Sequence, residues 1–355
     1  MSNILISCTQ APGNGGAATG IYTMASILSK NLPNVFFYFL ALKPQPNSNW
    51  FNPNKFDNCF GSHSLINDIN KETKILLEKL KPTVVIGKNW GAPYHLHKNG
   101  APNVYYLTSG FSPSQSYTKN GIGDFAVSQS YSKKLKFYFG TEYKTCDLCK
   151  NILPNSSLIR KLYKSNFPEY TNKLAQFDFV HSYFAAFSKE IYNIQQLKFK
   201  EKDIDICFVA SRWSRPQKNN SFLKFINKYY KQYKIVLIGE SDRENKKFSN
   251  IQSVGQVSHR KCLEIMNRSK VLIIPSLSDA APNTQFEAYS LGTNVILSKD
   301  VGTSNLSPKE MIVDLTDKDS FDKVLLKSIN KQNIGEVLTK KQLIELVDSY
   351  FSRLK

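Results

Sequence analysis

The strongest constraint in this 355-residue sequence is a rhythm in which short apolar runs of strand length alternate with amphipathic stretches of helix length. Such alternation is the sign of βαβ units, where parallel strands are joined by crossover helices and covered on both faces. In the first half the strand runs are Ile4–Cys8, Val35–Leu40, 84–86 and Val104–Leu107. Between them, residues 19–32 and Ile66–Leu80 carry helical spacing, the latter with Ile66, Ile69, Leu76, Leu77 and Leu80. Residues 178–182 read as a further strand, followed by helix to about Gln196. The polar segment 198–203 interrupts the pattern, which restarts with strand 204–210, helix 220–230, strands 234–239 and 251–254, helix 259–267, strand 271–275, helix 284–291 and strand Asn294–Ser298.

The fold class expected is therefore α/β, with two Rossmann-like domains at residues 1–197 and 204–355, a linker at 198–203, and a cleft between the domains. The amphipathic Lys340–Leu354 is placed to form a terminal helix that crosses back to the first domain. In such sheets ligands sit beyond the carboxyl ends of the strands, among the strand-to-helix loops.

Composition narrows the class. With 41% hydrophobic and 12% aromatic residues the chain is neither disordered nor collagen-like. Its 47 Lys+Arg against 28 Asp+Glu leave a formal charge of +19. That surplus favours phosphate-bearing partners: nucleic acid, an anionic membrane surface or a phosphorylated small molecule. The alternative explanation of the charge is codon bias: the chain is rich in Lys, Asn and Ile, as an AT-rich genome would make it. The longest apolar run, 35–42, falls far short of the roughly 20 residues that span a bilayer. The first ten residues read as a strand entering a Pro/Gly loop, not as a signal peptide. The expected location is cytoplasmic, with membrane contact only peripheral, on the inner face. Six cysteines fit a reducing compartment, and Cys146-x-x-Cys149 has no second pair to complete a zinc site, so both read as ordinary thiols.

Three loops can carry chemistry. The first, 11–20, contains Gly13, Gly15 and Gly16 and opens a helix, so its backbone N–H groups could approach an anion. It matches neither GxGxxG nor a Walker loop, and a tight turn without ligand would look the same. The second, 210–219, carries Arg212, Arg215 and Lys218 beyond a strand. Such cations can hold a diphosphate, or they can simply be solvated. The third runs Pro275-Ser-Leu-Ser-Asp-Ala-Ala-Pro-Asn-Thr-Gln-Phe-Glu-Ala, then Gly292-Thr-Asn-Val295. It places Asp279 and Glu287 on either side of a helix start.

This third stretch resembles the E-x7-E signature of GT-B glycosyltransferases of family 4. Asp279 stands in the first acidic place, Pro282-Asn283, Glu287-Ala288, Gly292-Thr293 and Val295 match, and Asn294 replaces the usual Pro. The glycine-rich first loop, Arg212 and Lys218, and Val254-Gly255 also fall in the family's order. The resemblance is good over about 204–306 and weak over most of the first half.

It implies a retaining transferase that moves a sugar from a nucleotide-sugar donor and needs no metal or other cofactor. No Asp-x-Asp cluster suited to a divalent cation and no His/Cys ligand set argues otherwise. Arg212, Lys218 and Asp279 would be the catalytic residues: the two cations neutralise the departing diphosphate, and Asp279 touches the sugar hydroxyls. Gly15, Gly16, Ala281, Pro282, Asn283 and Glu287 would bind the donor, with Glu287 accepting from the ribose diol. Asp279 is one methylene shorter than the family's Glu, which bears on sugar preference. His95, His97 and His181 fall in the acceptor domain as candidate bases, although the donor phosphate can itself take the acceptor proton.

The stretch 131–164 holds Lys133, Lys134, Lys136, Lys144, Lys150, Arg160, Lys161 and Lys164 against Glu142 and Asp147, with Tyr131, Phe137, Tyr138, Phe139, Tyr143 and Tyr163 interleaved. It would suit anionic lipid headgroups, a phosphate backbone, or plain solvent. The acceptor expected is a surface glycan or glycolipid at the cytoplasmic membrane face. The alternatives are hydroxymethylated DNA, as modified by phage enzymes of this fold, and an inactive sugar-binding protein, which the departures at Asp279 and Asn294 would suit.

Overall fold

The computed structural model describes residues 2–9, 16–40, 58–62, 66–89, 91–108, 110, 117–120, 124–127, 132–240 and 248–354. In chain order the elements of the first half are β1 (Ile4–Cys8), α1 (Gly16–Asn31), β2 (Val35–Leu40), β3 (Cys59–Ser62), α2 (Ile66–Leu80), β4 (Val84–Lys88), α3 (Gly91–Lys98), β5 (Val104–Leu107), β6 (Tyr117–Asn120), β7 (Asp124–Val127), α4 (Ser132–Leu148), β8 (Asn151–Leu153) and α5 (Ser157–Asn166). They are followed by α6 (Lys189–Tyr192), β9 (Ile204–Arg212), α7 (Asn220–Tyr229), β10 (Ile235–Glu240), β11 (Ile251–Gly255), α8 (His259–Arg268), β12 (Ser269–Ile274), α9 (Asn283–Ser290), β13 (Asn294–Ser298), β14 (Ile312–Val313), α10 (Lys318–Asn330) and α11 (Lys340–Leu354).

The chain divides into two compact units, residues 1–111, 136–184 and 338–355 in one and residues 112–135 and 185–337 in the other. Each is built on a six-stranded sheet, with orders β3-β2-β1-β4-β5-β8 and β11-β10-β9-β12-β13-β14, while β6 and β7 form a separate antiparallel pair. All ladders within both large sheets are parallel. Both sheets repeat one doubly wound order, whose direction reverses between β1 and β4 in the first and between β9 and β12 in the second. The expected α/β class is the one found.

Burial explains why these runs are strands. Every residue of β1, β4, β5 and β13 is buried, as a sheet covered on both faces requires. The connecting helices are amphipathic: α7 buries Phe222, Leu223 and Ile226, and α8 starts at Ser258, whose hydroxyl accepts from Lys261 N at 3.3 Å, before burying Leu263 and Met266. In the core of the second unit the indole of Trp213 donates to Ile238 O at 2.9 Å. Gly239, at φ +119°, passes so close that a Cβ would lie 1.6 Å from Ala210 O, so only glycine fits there. The terminal helix α11 belongs to the first unit: Leu354 O accepts from Tyr105 OH at 2.6 Å, and Tyr350 stacks on Phe177 at 4.5 Å.

Two expected elements differ. Residues 178–182 form no strand; Phe179 N bonds Pro154 O at 2.7 Å, and a 3-10 helix follows at His181–Phe187. The helix expected up to Gln196 shortens to α6, capped by Ser188 and ended at Asn193. No helix among the described residues is long and apolar enough to cross a membrane.

Residues 198–203 fold through a 3-10 turn, Phe199–Glu201, into Lys202, which is 3% exposed. Its ammonium donates to Asn267 O at 2.6 Å, Leu291 O at 3.0 Å and Thr293 Oγ1 at 3.1 Å. Asn267 and Leu291 lie at the C-terminal ends of α8 and α9, where carbonyls lack helical partners and a cation is favoured. Burial pulls the Lys202 pKa down to about 8. Lys202→Met should cut stability by about 1–3 kcal/mol, read as a lower urea midpoint at unchanged m-value, because buried acceptors lose their donor.

Candidate functional site

The strands on either side of the reversal in the second sheet, β9 and β12, deliver the two loops singled out in the sequence. β9 ends at Arg212, whose Nε lies 2.9 Å from Glu240 Oε2 at the end of β10. Both side chains are mostly exposed, so this pair restrains Arg212 only weakly. The loop then turns through a 3-10 segment, Pro216–Lys218, and Lys218 Nζ hydrogen-bonds Asp279 Oδ2. Leu277 N donates to Gln217 O at 2.8 Å, which ties the backbone after β12 to the backbone after β9. Gly302 N donates to Asp279 O at 2.8 Å, joining the loop after β13 to the same place. Arg215 makes no ion pair among the described residues.

Ala281 and Pro282 lead into α9, with Pro282 in extended conformation (φ −68°, ψ 123°) at the N-cap. Pro282 has no side-chain group to cap this helix, so the N-terminal partial charge is not offset from the cap position itself. Asn283 begins the helix and is buried, and the Gln285 amide is locked by Thr303 and by Ser307 Oγ at 3.0 Å. Glu287, only 4% exposed, accepts from His259 Nε2 at 2.9 Å. His259 opens α8, and its Nδ1 lies 3.9 Å from Glu190 Oε2.

Burial pulls the His259 pKa down, but its hydrogen bond to Glu287, the charge of Glu287 and that of Glu190 outweigh it, so the pKa stands above its ordinary value. Sequence reasoning did not single out His259. Its contact with Glu287 spans two helices and 28 positions, and nothing local marks it.

The rest of the motif is structural. Gly292 holds φ +63°, and a Cβ there would lie 2.3 Å from Gln196 Nε2. Thr293 Oγ1 donates to Met266 O at 2.7 Å. Asn294, where the family has Pro, is fully buried: its amide donates to Ser328 O at 2.6 Å and Lys331 O at 2.8 Å, and its carbonyl accepts from Asn333 N at 2.6 Å. These bonds tie the start of β13 to the end of α10.

Gly15 lies outside the described residues, and Gly16 begins α1. Of the candidate bases, His95 bonds Thr73 Oγ1 at 2.8 Å within the first unit, His97 is exposed, and His181 is buried. Burial, then the charge of Lys88, holds His181 well below its ordinary pKa and so neutral. In the basic stretch the side chains of 131–139 lie outside the described residues. Beyond them Lys144, Lys150, Lys161 and Lys164 are exposed, Arg160 pairs with Asp178 at 2.5 Å, and Tyr163 is buried with its hydroxyl on Glu142 at 2.6 Å. Cys146 and Cys149 are buried and unbridged, and burial raises both thiol pKa values, that of Cys149 to about 12. Among the described residues no group of three His, Cys, Asp or Glu side chains is arranged to hold a metal ion. Of the Asp-x-Asp pair Asp203 and Asp205, the first is held by Arg268 and Lys234 and the second by Lys270.

A protonated His259 contributes stability present below pH 6.5 and lost as pH rises through its raised folded-state value. The melting-temperature advantage of the native chain over His259→Gln should therefore be larger at pH 6 than at pH 9; an advantage that grows with pH would contradict the assignment.

No family model matches this chain, and no curated protein matches it. Solved structures do. Sucrose-phosphate synthase from Thermosynechococcus elongatus matches at TM-score 0.69 and 11% identity over 99% of each chain. The HepE protein of Anabaena, solved in complex with UDP, matches at 0.63 and 9% identity over 99% of this chain and 100% of that one. The UDP-forming α,α-trehalose-phosphate synthase of Burkholderia xenovorans, in complex with glucose-6-phosphate, matches at 0.63 and 10% over the same shares. The fold they share with this chain is the GT-B fold of two doubly wound sheets.

Proposed function

We propose that the chain is a retaining glycosyltransferase of the family-4 type, taking its sugar from a uridine diphosphate donor. The observation that carries this reading is the joining of Lys218 to Asp279 where β9 and β12 diverge, one loop away from the start of α9 and the buried Glu287. A carboxylate that is nearly buried and still has an oxygen to spare suits a vicinal diol. The helix start and the neighbouring cations suit a diphosphate. Uridine is favoured because one similar structure holds UDP and another is described as UDP-forming.

In this reading the donor's diphosphate enters between Arg212, Lys218 and the first N–H groups of α9. Lys218 is then shared between Asp279 and a phosphate oxygen. Asp279 turns toward the sugar hydroxyls, and Glu287 holds the ribose. As the bond from the anomeric carbon to the phosphate oxygen breaks, negative charge grows on the phosphate, and the two cations stabilise it most at that moment. The departing oxygen accepts the acceptor's proton while the new bond forms on the face just vacated. Side-chain cations thus do the work that a metal ion would otherwise do.

The acceptor favoured is a glycan or glycolipid at the cytoplasmic membrane face. It is supported by the charge of +19 and by Lys144, Lys150, Lys161 and Lys164, all exposed within one stretch of the first unit. On vesicles of anionic lipid the protein should sediment in a salt-sensitive way and should not be retained on duplex DNA; retention on DNA alone would overturn the membrane reading.

Arg212→Ala and Lys218→Ala should each cut UDP release from a UDP-sugar by about 100- to 1,000-fold, with EDTA leaving the native rate unchanged. Full rates in both variants would refute the role given to this loop.

A further inference from the structure

Glu287 poses a physical problem that the donor site does not itself solve. A carboxylate at 4% exposure must be paired to remain charged. Among the described residues no Lys or Arg reaches it, and its one hydrogen-bonding side chain is His259, at 2.9 Å. To donate, Nε2 must carry the proton. Were the ring neutral, Nδ1 would then present a lone pair toward the Glu190 carboxylate, 3.9 Å away. The doubly protonated ring removes that conflict, because both N–H groups then point toward carboxylates. The Glu190 contact is too long for a direct hydrogen bond and acts through charge or one bridging water.

We infer that His259 is the positioning residue of the nucleotide site, holding the Glu287 carboxylate charged and oriented so that it can receive the two hydroxyls of a nucleoside diphosphate's ribose. The inference rests on the reading of Glu287 as the ribose acceptor. Only Glu287 Oε1 is engaged by the imidazole, so Oε2 and the second lone pair of Oε1 are left for the diol. The ring is one-third exposed, and α8, which it opens, follows directly on the loop after β11. Helices α8 and α9 keep their spacing through Lys202, so the imidazole meets the carboxylate without reordering when nucleotide arrives. Without the ring the carboxylate would be buried without a counter-charge and would protonate or turn away. Either change costs the ribose its acceptor.

The test is calorimetric titration of the full chain with UDP, GDP and ADP. His259→Ala should weaken the nucleotide that binds best by about 10- to 100-fold, the range expected for a lost hydrogen bond to a charged group. His259→Gln, which keeps an N–H donor but carries no charge, should recover only part of that loss. In a Glu287→Gln background, where no buried charge needs an imidazolium, His259→Gln should add nothing. Additive losses, or native affinity in His259→Ala while Glu287→Gln binds weakly, would overturn the inference. Should His259→Ala fail to fold, the Gln pair alone decides through the same additivity. If the native chain binds none of the three nucleotides, or if Glu287→Gln binds as tightly as the native chain, it is the ribose reading that fails, and the inference falls with it.

Discussion

The interaction on which the second unit's site depends is the buried ammonium of Lys202. It satisfies carbonyls at the ends of α8 and α9 and the hydroxyl of Thr293, and so fixes one helix against the other at their C-terminal ends. The helices then bring His259 and Glu287 together further along. Gly292 and Asn294 serve the same end, the first by turning the chain where no Cβ fits and the second by tying β13 to α10. Half of the motif that suggested chemistry is therefore a device for holding a helix in place, and the candidate site residues Asp279 and Glu287 lie in its other half.

Both sheets use one strand order, and each reverses direction at its centre. In sheets of this kind neighbouring crossovers leave to opposite sides at the reversal, and ligands bind beyond the strand ends there. In the second unit Arg212 marks the end of one such strand, and Asp279 follows shortly after the other. Backbone bonds between the loops at Gln217 and Leu277, and at Asp279 and Gly302, then make the three loop ends one piece. The corresponding strands of the first sheet end in Cys8 and Lys88, and both are buried. The two sheets are alike in order and unlike in what they present.

Much of this was legible in the sequence because burial imposes it. β1, β2, β5, β13, α2 and α11 fall at the residues their apolar patterns indicate, since each is a continuous apolar run or a clear helical stripe. Residues 178–182 misled because Phe179 is buried by loop packing rather than by a ladder, and an apolar pair looks the same in either setting. The polar look of 198–203 concealed Lys202, whose burial is tolerable only because three acceptors from distant positions converge on it. Asn294 looked like a departure from a family pattern, but its partners at Ser328, Lys331 and Asn333 lie more than thirty positions away. His259 was hidden for the same reason. Local pattern shows what is buried and what can bend; pairings made by tertiary contact leave no local mark.

In the proposed function a nucleoside diphosphate is held at the carboxyl edge of the second sheet. Hydrogen–deuterium exchange of the full chain with and without saturating UDP tests it most directly. Bound UDP should slow exchange in three places together: the loop after β9 from Arg212 to Lys218, the start of α8 at His259, and the segment from Asp279 through Glu287. No protection there while UDP is demonstrably bound, or protection confined to other strand ends, would contradict it.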